Sequence, residues 1–352
     1  MADRFRANIP SHRITAPEVF VDRRRFLSRL GGLGLGLLAT PALFRLSETA
    51  VAAQSRMLQP PLERSDVFPV TRNQAYTIPS AIERRDLMAR EIAASHNNFY
   101  EFLPGQGGPA WQFAGDFEVE PWQVQITGEC EKPTILDLDD LFAFAHEERV
   151  YHFRCVEKWA MNVPWSGFPL SRLLATVAPL SSARFVRFTS SFREDQMPGV
   201  KETPWYEWPY HEALRMDEAM NELAMVVTGV YGEPLLKQHG SPVRIIVPWK
   251  YGYKSPKSIV RIELVRDEPT TFWQIQPHEY GFLSNINPNI PHPRWSQAQS
   301  FWLDTEVDPR TGDPVSNFPT PIFNGYEQYV ASLYPDEPRE PQRPLRQGQT
   351  AR

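Results

Sequence analysis

The sequence predicts an α+β fold with mixed sheets and long irregular connections. Three observations predict it. Strand-like alternating segments recur along the chain, but short helical segments interrupt them irregularly instead of in a strand–helix–strand repeat. The 34 prolines among 352 residues are close to twice the usual share of about 5%. Proline is excluded from helix interiors and central strands, so that excess demands ordered loops. No glycine-rich phosphate loop joins a strand to a helix, which removes the signature of a nucleotide-binding, doubly wound sheet.

Residues 1–53 are expected to be an export signal outside the fold. Arg23-Arg24-Arg25-Phe26-Leu27 is followed by a weakly apolar stretch from Leu30 to Phe44 and a small-residue site at Ala50-Val51-Ala52-Ala53. That three-part layout marks a cleaved signal, and the paired arginines mark the twin-arginine subtype. A retained anchor is the alternative reading, but the apolar stretch is shorter than the roughly 20 residues a spanning helix needs. The exported protein is therefore expected in the periplasm and soluble.

Residues 54–82 read as a polar, proline-rich arm. Asp86 to Asn97 reads as a helix, with Leu87, Ile92 and Ala93 at helical spacing. Trp122 to Ile126 alternates as a strand, Leu136 to Phe144 reads as a helix, and Arg149 to Cys155 as a strand that ends at the cysteine. Leu170 to Val177 reads as a helix and Arg184 to Phe188 as a strand. Residues 191–210 read as a loop and His211 to Met220 as a helix. Met225–Val230, Val243–Pro248 and Ser258–Val265 read as strands. A catalytic domain is thus expected over 83–333. Beyond it, 334–352 is charged and proline-rich, the composition of a disordered tail. No internal repeat is present.

Hydrophobic residues make up 41% and charged residues 22%, with a formal net charge of -5. This is a globular composition without the basic excess of a nucleic-acid binder. Two cysteines are too few for a disulfide scaffold. Cys130 lies between Glu129 and Glu131, which disfavour a thiolate. Cys155 follows Arg154, with His152 and Lys158 nearby, which favour one. A buried core thiol and a Cys130–Cys155 disulfide are the competing readings of Cys155. Zinc and haem spacings are missing, so a metal held by this cysteine needs further ligands from an organic cofactor. Anion and ring contacts for such a cofactor are sought in His239-Gly240-Ser241-Pro242-Val243-Arg244 and Trp249–Lys257, where one arginine and three lysines gather. A solvated basic face is the plain alternative. No Gly-x-Ser-x-Gly elbow supports a serine nucleophile.

Cys155-Val156-Glu157-Lys158-Trp159-Ala160-Met161-Asn162-Val163-Pro164-Trp165-Ser166-Gly167-Phe168-Pro169-Leu170 resembles the molybdenum-cysteine segment of the MsrP (YedY) family. Val247–Lys254, Asn97–Phe102, Pro293–Ala298 and Phe323–Tyr326 resemble further blocks of that family in order. The family contains the periplasmic catalytic subunits of protein-methionine-sulfoxide reductase. The resemblance runs from about residue 75 to 334. It implies a sulfite-oxidase-type molybdopterin-binding fold with Mo-molybdopterin: one mononuclear molybdenum and one molybdopterin. The implied metal ligand and catalytic residue is Cys155. The implied pterin contacts are Asn97, Tyr100, Glu101, Ser190, His239, Arg244, Ser255, Pro256 and Lys257. Two positions depart from some members, which have Thr at 190 and Asn at 239. Oxidised periplasmic proteins are the implied substrates and a membrane haem b subunit of the MsrQ type the implied electron donor. The expected assembly is a monomer or a heterodimer with that subunit.

The expected reaction removes oxygen from methionine sulfoxide. Glu157 is read as a proton relay or as a structural acid paired with a base. Trp205, Tyr206 and Trp208, or Trp249 and Tyr251, are read as an aromatic rim or as core. A sulfite oxidase-like reaction, or reduction of a small S- or N-oxide, is the rival enzyme reading. It calls for an arginine-rich anion pocket, and Val156 to Pro164 offers only Lys158. A binding protein that uses Cys155 structurally is the non-enzyme rival.

Overall fold

A computed structural model describes residues 53–104 and 109–343 of the chain. The segment expected to be a twin-arginine signal (1–53), apart from its last residue, and residues 344–352 lie outside the described residues.

Two mixed sheets form the frame. In the five-stranded sheet the order is β2 (Thr134–Asp137), β1 (Gln123–Gly128), β10 (Ile259–Val265), β5 (Phe185–Ser190) and β6 (His211–Arg215). β1 runs parallel to β10 and the other pairs are antiparallel. The seven-stranded sheet centres on β4 (Trp159–Pro169), flanked by β3 (Glu147–Arg154), β7 (Met225–Val230) and β11 (Gln299–Trp302). β8 (Glu233–Pro234) and β9 (Arg244–Ile246) pair with β7, and β12 (Phe318–Pro319) with β11.

Burial follows from the residue pattern. β5 alternates half-buried and buried positions, so one face of its sheet meets the core. β7, Met-Val-Val-Thr-Gly-Val, is buried throughout, as a strand covered on both faces must be. β4 is buried over its first ten positions, and Phe168, Leu170, Leu173, Leu174 and Val226 join one continuous core around it.

The helices are short: α1 (Arg90–Ser95), α2 (Leu138–Phe142), α3 (Leu170–Thr176), α4 (Pro198–Glu202), α5 (Met216–Ala219) and α6 (Glu327–Val330). No described helix is long and apolar enough to cross a membrane.

Three sequence expectations need correction. The helix expected over 136–144 starts at Leu138, because Thr134–Asp137 pairs with β1. Asp137 instead caps the helix, accepting from the Asp140 N–H while the Asp140 side chain accepts from the Asp137 N–H. The helix expected over 211–220 is β6 followed by the single turn α5. His211–Arg215 pairs with β5, and its buried run gives no periodicity that separates strand from helix. The tail expected to be disordered from 334 is seated through its first residues. Tyr334 is buried, and Glu337 accepts from the Asn285 and Asn287 amides at 2.9 Å each. The Gln342 N–H donates to the Asn289 carbonyl at 2.7 Å.

The 54–82 arm lacks regular strands but is tied down. Leu62, Phe68, Ile78 and Ile82 are buried, and Arg72 bridges alongside Glu148 at the start of β3.

Candidate active site

Cys155 stands on the turn between β3 and β4. Arg154 still pairs with Ala160. The Cys155 N–H then donates to the Trp159 carbonyl, and the Lys158 N–H to the Cys155 carbonyl, both at 3.0 Å. Lys158 closes the turn in the left-handed region, at φ 77°. Arg154, one residue earlier on an alternating strand, turns the other way. Its Nε donates to Ser300 Oγ at 2.7 Å.

The sulfur lines a cavity of about 630 Å³, within the usual size of a ligand or cofactor pocket. Cys155 is only 7% exposed, and neither it nor Cys130 is in a disulfide. The disulfide reading is therefore set aside, and so is the isolated core thiol, because the side chain borders open space.

The cations near Cys155 in sequence do not make it a thiolate. Burial, then the neighbouring Glu157 carboxylate, push the Cys155 thiol well above its ordinary value, and this outweighs the Glu157 N–H, Arg154 and Asn98. His152 is buried as a neutral ring, with its pKa lowered to about 4 mainly by desolvation. Such a thiol becomes a thiolate when a metal replaces its proton.

Asn98 faces the sulfur. Its Nδ2 lies 3.7 Å from Cys155 Sγ and donates to Glu157 Oε2 at 2.9 Å. Trp159 Nε1 donates to the same carboxylate oxygen at 3.2 Å. The Glu157 carboxylate therefore sits on two neutral donors, not on the base expected from sequence.

The far wall holds the polar groups. Arg244 is buried, and its Nη1 and Nη2 donate to the carbonyls of His239 at 2.7 Å and Ser255 at 3.1 Å. Its Nε has no protein partner. With no carboxylate beside it, burial lowers its pKa to about 9. Lys257 Nζ donates to the Asn98 carbonyl at 3.0 Å. Its ammonium is pushed down by burial and by Arg244, while burial pushes the Glu101 carboxyl up. His239 Nδ1 is buried without a partner, and burial lowers that ring to about 3. Gly240, at φ +99°, lies so close to Lys257 that a Cβ would meet the lysine's Cβ at 2.6 Å.

Asn97, Tyr100, Glu101, Cys155, His239, Arg244, Ser255 and Lys257 thus come together around one cavity. Ser190 and Pro256 do not line it. Ser190 Oγ is buried with no partner, and the Pro256 carbonyl accepts from the Ile245 N–H. Asn97 spends its amide on the carbonyls of Ala93 and Ala94 at the end of α1, whereas its neighbour Asn98, which the sequence reading did not single out, faces the sulfur. The basic segment divides. Arg244 and Lys257 serve the cavity, whereas Lys250 and Lys254 are fully buried in ion pairs with Glu218 at 2.7 Å and Glu212 at 2.6 Å. It is not a solvated face.

The mouth is aromatic. Tyr206, Trp273, Tyr280 and Trp295 line it together with Arg294 and the turn 311–314. Of the expected rim, Tyr206 takes part. Trp249 is core, with its Nε1 donating to the Tyr334 hydroxyl at 2.9 Å, and Trp208 packs on Phe272.

Among the described residues no group of three or more His, Cys, Asp or Glu side chains could hold a metal. A metal at Cys155 therefore needs ligands from elsewhere. The wall fits a molybdopterin: buried Arg244, with no carboxylate on it, and half-buried Lys257 suit its phosphate, and the unpartnered Arg244 Nε and His239 Nδ1 suit its polar edges.

Residues 112–273 match the family described as the oxidoreductase molybdopterin binding domain. Similar proteins include the catalytic subunit MsrP of protein-methionine-sulfoxide reductase from Xanthomonas axonopodis pv. citri, 42% identical over 95% of this chain and 97% of that one. The same subunit from Ralstonia nicotianae is 43% identical over 93% and 94%. Among solved structures, the sulfane dehydrogenase SoxCD from Paracoccus pantotrophus aligns with a TM-score of 0.40 at 18% identity, over 53% of this chain and 48% of that one.

Proposed function

Because the chain belongs to the MsrP family of protein-methionine-sulfoxide reductase catalytic subunits, we propose that it returns methionine sulfoxide in oxidised proteins to methionine at a molybdenum held by Cys155. One observation carries this reading. The Cys155 sulfur borders a cavity lined by buried Arg244, half-buried Lys257 and the aromatic side chains of Tyr206, Trp273, Tyr280 and Trp295.

Cys155 would supply the protein ligand to the metal. Arg244 and Lys257 would hold the anionic end of the pterin, and His239, Ser255, Asn97, Tyr100 and Glu101 would border it. Ser190 and Pro256 would act from behind the wall. When bound, the molybdenum–molybdopterin supplies two-electron oxygen-atom chemistry, which no side chain offers.

The chain's own contribution is orientation and exclusion. Asn98 and the Glu157 N–H fix the sulfur, and Glu157 in turn fixes Asn98 and Trp159. The aromatic mouth accepts a thioether side chain and sheds water. A sulfite oxidase-like reaction would need cations open to an anion at the mouth. Arg294 there is already neutralised by Glu279 at 2.7 Å, which favours a neutral, polar substrate.

The twin-arginine signal supports export to the periplasm, where exposed methionines meet oxidants. Electrons would come from a membrane haem b subunit, either in a heterodimer or in transient contact with a monomer.

The test is activity of the purified, reduced protein on a protein carrying methionine sulfoxide, with molybdenum measured on the same sample. Conversion to methionine with near-stoichiometric metal, both lost in Cys155→Ala, is the expected result. A Cys155→Ala protein that keeps metal and activity overturns the ligand assignment. A loaded wild type that oxidises sulfite and leaves the sulfoxide untouched overturns the reductase reading.

A further inference from the structure

Resting on the reductase reading, we propose that Arg294 reads the sulfoxide oxygen and so sets the preference for oxidised over reduced methionine. Arg294 lines the cavity mouth. Its Nη2 is held by Glu279 Oε2 at 2.7 Å and donates to the Tyr280 hydroxyl at 2.9 Å. Its Nε and Nη1 make no hydrogen bond to any described residue. The guanidinium lies over the Trp295 ring at 4.8 Å.

That ring is fixed. Its Nε1 donates to the carbonyl of Val156, the residue after the sulfur ligand, at 2.9 Å. Its other support is His292, stacked at 4.5 Å and 12°. His292 Nδ1 accepts the backbone N–H of Arg294 at 3.3 Å and its Nε2 stands 3.3 Å from Glu279. The donor edge of Arg294 is thus held by groups that do not depend on substrate.

The chemistry of the ligand matches. A sulfoxide carries a strongly polar S–O bond whose oxygen only accepts hydrogen bonds, on an otherwise apolar side chain. A thioether is a weak acceptor. Charge-assisted donors from Arg294 to the oxygen, with the methyl and methylenes against Trp295 and Tyr280, distinguish the two. Glu279 cancels the arginine's charge, which favours this neutral dipole over an anion such as sulfite. When oxygen leaves, Arg294 keeps Glu279 and Tyr280, so release of the thioether strands no charge.

The experiment measures binding of N-acetylmethionine sulfoxide and N-acetylmethionine to the oxidised holoenzyme by calorimetry, then steady-state reduction by the same samples. Wild type is expected to favour the sulfoxide. Arg294→Gln should lose about tenfold to a hundredfold of that preference, the worth of a hydrogen bond to a charged group, with KM raised more than kcat is lowered. Arg294→Lys should recover part, because one donor remains. Molybdenum content of both variants should match wild type. An Arg294→Gln enzyme that keeps the wild-type preference and KM overturns the role of Arg294 alone. A wild type that does not reduce the sulfoxide overturns the reductase reading, and this proposal with it.

Discussion

Arg244 and Lys257 stand as like charges in one cavity wall, and the arginine adds to the burial that holds the lysine ammonium below its ordinary value. The arginine's own hydrogen bonds go to two carbonyls, not to a carboxylate. Such an arrangement is costly in the empty protein and favourable once an anion arrives. Arg244→Met should therefore shift apoprotein stability by no more than about 1–2 kcal/mol, since a lost charge penalty offsets two lost hydrogen bonds. It should lower cofactor content sharply. Calorimetric melting of the apoprotein and pterin analysis of the purified variant check both halves. A large loss of stability with normal loading would make the arginine a structural element.

Buried ion pairs make the opposite case. Lys250 Nζ lies 2.7 Å from Glu218 and donates to the Leu283 carbonyl at 2.6 Å and Asn285 Oδ1 at 2.9 Å. Glu218 also accepts from the Tyr334 hydroxyl at 2.5 Å. Both side chains of the pair are fully buried. Lys250→Met alone should cost about 3–5 kcal/mol, because it leaves the buried carboxylate with only Arg215, at 4.0 Å, as a charge partner. Adding Glu218→Leu should recover much of that loss. Denaturant unfolding of the single and double variants checks the coupling, and strict additivity would refute it.

That pair also shows how far the sequence was legible. The strands ending at Cys155 and at Val265 and the helix from Leu170 follow from clear alternation or helical spacing, and the structure has them. β6 was hidden because its pairing partner, Phe185–Ser190, lies well upstream, and pairing overrides local preference, whereas β2 was hidden because it is four residues long and runs straight into the helix at Leu138. Arg244, Lys250, Lys254 and Lys257 look alike in one dimension. Only the fold shows that Glu212 and Glu218 claim two of them and leave two for the cavity. Asn98 was hidden for a related reason. It stands beside Asn97, and only the end of α1 decides which amide caps the helix and which faces the sulfur. The mouth residues Trp273, Tyr280 and Trp295 come from a loop-dominated stretch with no periodicity to place them.

Acid stability should carry the mark of Asp304. Its carboxylate receives both Arg84 Nη1 and Nη2 at 2.7 Å, and the arginine holds it below the ordinary aspartate value of 3.8. A depressed carboxyl gives stability that is complete above the unfolded value and is lost as pH falls through the folded one. The contribution should therefore be constant above about pH 5 and fade below about pH 4. The pair is partly exposed, so about 0.5–1 kcal/mol is expected. Asp304→Asn should lower stability at neutral pH by that amount and converge on wild type under acid. Urea titrations at a series of pH values check it; a gap that widens towards acid would contradict the sign.

The Val156 carbonyl, next to the proposed ligand, is held twice: by Trp295 Nε1 and by Gln297 Nε2, each at 2.9 Å. One donor satisfies a buried carbonyl, so losing either leaves the group paired. Losing both strands it, at a cost of about 1–3 kcal/mol. Trp295→Phe keeps a ring to stack on His292 and should be mild, as should Gln297→Ala. The double variant should lose more than the sum, because each single variant hides the other's contribution. The turn that presents Cys155 should then open. The rate at which iodoacetamide alkylates Cys155 in a Cys130→Ala apoprotein should rise clearly in the double variant and little in either single one. Equal rates in all of them would mean that the turn is held by its own backbone hydrogen bonds, from Cys155 to Trp159 and from Lys158 to Cys155, and not by the loop that carries the mouth.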